Sequence, residues 1–182
     1  MKIVRTFAKD LFAFHFKDET ENELLKVFKQ WNDPEKMTRF LCENKSDWIS
    51  KGYNNLNQIR KELEKNAEKF EDVFVSFSKV NNPSWDELFA PLYNSEYKTI
   101  TISKRKAKYG SKENFLRFYA LKIDANCYVI TGGAIKFTHL MEERVHTQKE
   151  LEKLEKCRNF LKEKGVVDED SFYDFLIEEN DQ

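Results

Sequence analysis

The sequence predicts an α+β fold: an N-terminal β-hairpin, a helical section, and then a small antiparallel sheet flanked by C-terminal helices. Three observations predict it. Apolar residues alternate, or run together with β-branched and aromatic neighbours, over residues 2–16 and 97–138. Between them, over 20–80, they recur at the 3.6-residue period of helices with one buried face. The helical period returns over 147–178. A chain of 182 residues can bury all of this in one core, so residues 1–182 are read as a single domain.

In chain order, Lys2 to Ala8 alternates β-branched and charged positions, Lys9-Asp10 makes a polar turn, and Leu11 to Phe16 resumes the apolar pattern. Ile3, Phe12, Phe14 and Phe16 are expected to face the core. Thr20 followed by Glu23 forms a capping box for a helix over about 21–31, with Leu24, Leu25, Val27, Phe28 and Trp31 on one face. Asp33-Pro34 restarts the chain as an N-cap and first-turn proline do, giving one helix or two short ones through Trp48 and Ile49. Leu56, Ile59, Leu63, Ala67 and Phe70 then mark a long helix extending toward Phe77.

Asn81-Asn82-Pro83 breaks the pattern, and Trp85 to Phe89 makes a short apolar anchor before Pro91. Strands are expected at Tyr97–Ser103, Phe115–Ile123 and Tyr128–Phe137, the last two joined by a tight Asp124-Ala125-Asn126 link. Leu151, Leu154, Cys157, Phe160 and Leu161 stripe a helix that Gly165 ends, and Asp170 or Ser171 caps a final short helix carrying Phe172, Phe175, Leu176 and Ile177.

Composition narrows the function classes. Lysine and arginine number 31 against 32 acidic residues, so no global field draws the chain to nucleic acid or anionic membrane, and any such attraction is local. No stretch approaches the roughly 20 apolar residues of a membrane helix, and charges at Arg5, Lys9 and Asp10 interrupt any signal-peptide centre. Three widely spaced cysteines, Cys42, Cys127 and Cys157, fit neither a disulfide framework nor a metal knuckle; they read as small buried hydrophobes in a reducing cytoplasm. No Walker loop, GxGxxG or GxSxG occurs, and no cofactor is implied.

The informative local feature is charge segregation. Lys98, Lys104, Arg105, Lys106, Lys108, Lys112, Arg117 and Lys122 share a window whose single acid is Glu113, with Tyr109 and Gly110 among them. An exposed aromatic beside cations stacks on an unpaired base while the cations neutralise phosphate, so Lys104, Arg105, Lys106, Lys108, Tyr109 and Lys112 are candidate RNA-binding residues on a basic loop. The alternative is a solvated loop facing the acidic tail.

Arg117 shares a strand face with Tyr119 because side chains two apart point the same way. A three-residue hairpin would set Arg117 opposite Gly132-Gly133, whose missing side chains would leave room for a ligand backbone; a buried ion pair and a bulge are the structural alternative. Lys136 and His139 follow at the end of the third strand. Together these suit phosphodiester cleavage, in which a ribose 2′-hydroxyl attacks the adjacent phosphate and needs a base, cations for the phosphorane and an acid. Imidazole is the side chain best tuned to proton transfer near neutrality, with Tyr119 or Lys136 as substitutes for His139. The HLMEE run from His139 lacks the second histidine of a zinc-protease helix, so no metal site is assigned.

The segment FLRFYALKIDANCYVITGGAIKF with the Lys/Glu-rich helix after it, roughly residues 115–161, resembles the C-terminal half of RelE and HigB toxins of type II toxin–antitoxin systems. That resemblance implies mRNA cleavage, usually on the ribosome, under control of a partner antitoxin. It implies that Arg117 binds the scissile phosphate, that Lys136 stabilises its charge, and that Tyr119 or His139 assists proton transfer. The chain departs from the family in its neutral charge and its helical section. The competing expectation is a noncatalytic regulatory or defence protein that binds protein or nucleic acid through the same sheet, with the acidic tail as an intramolecular competitor.

Overall fold

The computed structural model describes residues 1–80, 84–98, 101–109 and 114–180. Expectations for Asn81-Asn82-Pro83, Gly110, Lys112 and Glu113 lie outside the described residues.

Among the described residues the fold is α+β, with six strands in one sheet and helices on both faces. The strands are β1 (Lys2–Arg5), β2 (Leu11–His15), β3 (Phe89–Pro91), β4 (Ser103–Ala107), β5 (Leu116–Asp124) and β6 (Cys127–Ile135). They lie in the order β1-β2-β6-β5-β4-β3. The N-terminal hairpin is not a separate unit: β2 runs parallel to β6, pairing Leu11 with Tyr128 and Ala13 with Ile130, and so makes the sheet mixed. A parallel pair needs a long crossover, and the helical section supplies it.

Alternation along each strand assigns side chains to two cores. Leu11, Ala13, Leu116, Phe118 and Ile130 face α1 (Glu23–Trp31), α2 (Pro34–Glu43), α3 (Lys45–Ser50), α4 (Leu56–Ser78) and α5 (Trp85–Leu88). Phe118 is the hub of this side, with Trp31, Phe70 and Phe74 rings at 4.7, 5.5 and 5.1 Å from its own. Ile3, Phe12, Phe14, Tyr119, Leu121 and Val129 face α6 (Val145–Glu163) and α7 (Glu169–Asn180). Phe16 packs there only partly buried. Cys127 and Cys157 are buried, whereas Cys42 is exposed on α2, against the expectation.

Several local expectations are corrected. The cap of α1 is Asn22, whose Oδ1 accepts the Leu25 N–H at 3.1 Å; Glu23 is instead drawn inward to Lys153. Of the strand expected over Tyr97–Ser103, Tyr97 and Lys98 are not strand, residues 99 and 100 lie outside the described residues, and Ser103 opens β4. Residues Asn94–Lys98 form a 3-10 turn because the buried Glu96 folds back and accepts the Lys104 N–H at 2.9 Å, and pairing begins only at Ser103. Lys104 to Ala107 is then strand, not loop.

The β5–β6 link is a two-residue turn, Asp124 pairing with Cys127 across Ala125-Asn126, with Asn126 in the left-handed region at φ +58° that asparagine tolerates. A bulge at Thr131 shifts the register, so Arg117 faces Ala134, and Gly132 and Gly133 face Tyr119 and Phe118. The glycines do not make room for a ligand opposite Arg117, which faces Ala134 instead. A Cβ at Gly132 would strike the Glu150 and Lys153 side-chain ends of α6, and one at Gly133 would lie 2.8 Å from the Arg117 carbonyl oxygen and from a Val27 methyl of α1. They let helices approach the sheet from both sides.

Candidate functional site

The bulge and the curl of chain after β6 bring the rim residues together. Arg117 and Tyr119 on β5, Lys106 on β4, Lys108 just past it, and Lys136 and His139 after β6 line one cleft of about 500 Å³. Its lip is Leu92 to Asn94, from the turn after β3, and Leu140 and Met141. Among its described lining residues there is no carboxylate.

Arg117 sets the electrostatics. Its Nη1 donates to the carbonyls of Asn114 at 2.7 Å and Leu116 at 2.6 Å, which fixes the guanidinium, and no described carboxylate lies within ion-pair range. Asn114 is itself buried, with Oδ1 accepting the Leu116 N–H at 2.8 Å and its amide donating to the Tyr109 carbonyl. The start of β5 is thereby braced. Burial lowers the affinity of Arg117 for its proton.

Two lysines join it. Lys106 donates to the Leu92 carbonyl at 3.1 Å, and Lys136 donates to the Thr138 carbonyl at 3.0 Å and to that of His139, curling residues 136–139 around its ammonium. Burial first, then the Arg117 charge, holds both lysines below the usual lysine range. The three cations therefore repel one another across a partly desolvated space, which favours an anion between them.

Tyr119 is fully buried and its hydroxyl has no hydrogen-bond partner among the described residues. Burial raises its pKa far above neutrality, which Arg117 only partly offsets. It can donate a hydrogen bond but cannot act as a base at neutral pH. His139 is exposed at the rim. Tyr93, on the lip, donates to Glu142 at 3.1 Å, and burial followed by that carboxylate pushes it up to about 12.

The remaining candidates lie elsewhere. Lys104 shares the face of Lys106 but is ion-paired with Glu155 at 3.1 Å and Glu96 at 3.7 Å. Arg105 points to the opposite face, where its Nε donates to Ser103. Tyr109 lies against α4, beside Lys69 and Asp72. The acidic α7 docks at the other end of the sheet, where Phe172 meets Phe12 at 5.0 Å and Asp168 lines a hollow with Asp124, so the described residues of this tail do not cover the cleft. His139, which opens the HLMEE run, faces the cleft, and His146, three residues beyond that run, bonds the Ile135 carbonyl at 2.9 Å. Among the described residues no three metal-ligating side chains converge, and no helix is long and apolar enough to cross a membrane.

Sequence reasoning missed the lip residues and a second cleft of about 520 Å³ on the far side of Arg117 and Lys136. Its outer wall is Lys51 and Tyr53, from the α3–α4 connection, and Gln58, from the first turn of α4. The polar Lys51-Gly52-Tyr53-Asn54-Asn55 run between two apolar stripes was the available signal. Comparison of the chain with protein-family models, curated proteins and solved structures gave no match.

Proposed function

We propose that this chain is a toxin-type endoribonuclease that cleaves single-stranded RNA, with mRNA as the expected substrate, and that a partner antitoxin protein controls it by covering the cleft. The observation that carries the reading is the Arg117–Lys106–Lys136 cluster, partly desolvated, in a cleft without a described carboxylate. Desolvated charges are ordinarily paired, and three half-buried cations in no ion pair among the described residues, beside a tyrosyl hydroxyl without a described partner, are the complement of a phosphodiester.

In this scheme Arg117 and Lys106 bind the nonbridging oxygens of the scissile phosphate, and Tyr119 donates a hydrogen bond as charge builds on them. The ribose 2′-oxygen attacks phosphorus and the 5′-oxygen leaves, giving a 2′,3′-cyclic phosphate and a 5′-hydroxyl end. His139, the exposed imidazole at the rim, takes the 2′-proton, and the Lys136 ammonium supplies the proton to the departing oxygen. The cations do the charge stabilisation that a divalent ion does in other nucleases.

The test is induced expression of the wild type beside Arg117→Ala. Growth arrest with cleaved RNA in the wild type alone is expected; harmless expression with intact RNA would reject the enzyme. A second reading, RNA binding without cleavage, is favoured by the exposed position of His139, whose imidazole hydrogen-bonds to no described residue. Under it, His139→Ala leaves RNA affinity and cellular effect unchanged.

A further inference from the structure

We propose that the second cleft is a nucleoside subsite for the nucleotide flanking the phosphate held at Arg117 and Lys136, so that the ligand is a single strand of RNA lying across that ridge. The proposal rests on the phosphodiester reading above. Arg117, Lys136, Thr138 and His139 line both clefts, which makes them one ridge of positive charge with a hollow on each side. Each hollow lies within the ~300–1,000 Å³ range of small-molecule sites. A phosphodiester on the ridge necessarily directs its two nucleosides away from it in opposite directions.

The outer wall offers what an unstacked nucleoside needs. Lys51 carries a positive charge, Tyr53 a ring, and Gln58 an amide whose Oε1 already accepts the Asn54 N–H at 3.2 Å, leaving its N–H donors unclaimed by any described residue. Those donors suit the carbonyl or ring-nitrogen acceptors of a base. The Tyr53 ring is set edge-on against Phe115 at 5.9 Å, so it is a fixed stacking platform. Gly52, at φ +88°, turns the chain between Lys51 and Tyr53, and the space where its side chain would be is open.

Charge supports the assignment independently of shape. The described linings of the two clefts hold five lysines and arginines and no acid, in a chain with 32 acidic residues among 182. Bases buried in a duplex cannot reach such a hollow, so the strand is single.

The experiment measures binding of fluorescent all-2′-fluoro RNA tetranucleotides, which lack the attacking hydroxyl, to the wild type, Arg117→Ala and the double variant Lys51→Ala/Gln58→Ala. Inorganic phosphate serves as competitor. Lys51 and Gln58 are exposed, so the double variant keeps the fold. It is expected to bind the tetranucleotides about tenfold more weakly, with smaller differences among base sequences, while phosphate competes as in wild type. Wild-type affinity and sequence dependence in the double variant, with affinity lost in Arg117→Ala, would overturn the subsite and leave the phosphate reading standing. Failure of the wild type to bind any tetranucleotide would overturn both. Binding that depends on both sites without cleavage of natural RNA would uphold the subsite and remove only the chemical step.

Discussion

Two clusters of charge sit along β5 and β6, and they are built in opposite ways. Over Gly132, Lys153 of α6 binds Glu23 of α1 at 2.7 Å and Glu150 at 2.8 Å, and Lys26 reaches Glu23 at 3.4 Å and Glu19 at 2.6 Å. Beyond Ile130, β6 has no pairing with β2, and this ion network clasps the two helices there. Toward the end of β6, the hydrogen bonds of Arg117, Lys106 and Lys136 among the described residues all go to backbone carbonyls, and none is in an ion pair with a described carboxylate. Charge that is ion-paired within the protein maintains the fold; charge left without a described counter-ion at the cost of stability is a binding site in waiting.

Breaking the ion-paired cluster carries the largest expected cost. Lys153→Ala leaves Glu23, which is 1 % exposed, with Lys26 alone, and should lower unfolding stability by about 3 kcal/mol in a denaturant titration. An unchanged midpoint would show that the clasp is not structural. Gly133→Ala forces a Cβ against the Arg117 carbonyl and Val27, and about 2 kcal/mol of overpacking is expected by the same measurement.

Asp47 provides a smaller, pH-dependent contrast. Its carboxylate takes Arg144 Nε at 2.8 Å and Nη2 at 2.6 Å, and those hydrogen bonds, against burial, hold it below the usual carboxylate range. Because the folded pKa is the lower, this contribution is complete above the unfolded value of 3.8 and is lost as pH falls through the folded one. Asp47→Asn should therefore cost about 1 kcal/mol at pH 7, Arg144 being partly exposed, and should flatten the acid limb of thermal unfolding below pH 4. An acid limb identical to that of the wild type would remove Asp47 from the account.

The cluster without a described counter-ion behaves differently. Lys106 and Lys136 are lowered on folding, so the folded state sheds protons first and stability rises as pH climbs through the folded pKa values toward the ordinary 10.5. Lys106→Met is expected to stay within about 0.5 kcal/mol of wild type at pH 7 and to shallow that alkaline rise. A large loss of stability in this variant would mean that Lys106 is structural.

The α+β class was legible because the helical and strand periods differ and each element buries one face. The parallel β2–β6 pairing was not, since Leu11 to Ala13 alternates identically whichever strand it joins. Glu96 displaced the start of the strand expected at Tyr97–Ser103: the buried carboxylate reaching the Lys104 N–H accompanies a 3-10 turn through Tyr97 and Lys98 where the pattern alternates. Arg117, Tyr119, Lys136 and His139 could be grouped from strand parity and rim position. Arg105 could not be separated from Lys106 until β4 was known to be a strand, and Lys104 looked free because Glu155 lies 51 residues away in sequence. The polar run at Lys51 and Tyr53 marked a connection but not a site, because only the tertiary fold carries it, with Gln58 of α4, to the end of β6.

The most direct test of the central claim is to incubate the purified chain with single-stranded RNA in the presence of a divalent-metal chelator and to identify the ends formed. The account predicts 2′,3′-cyclic phosphate and 5′-hydroxyl ends from the wild type and a loss of at least about 100-fold in rate in Arg117→Ala, with folding retained. RNA left intact by the wild type, or cut equally by Arg117→Ala, would contradict it.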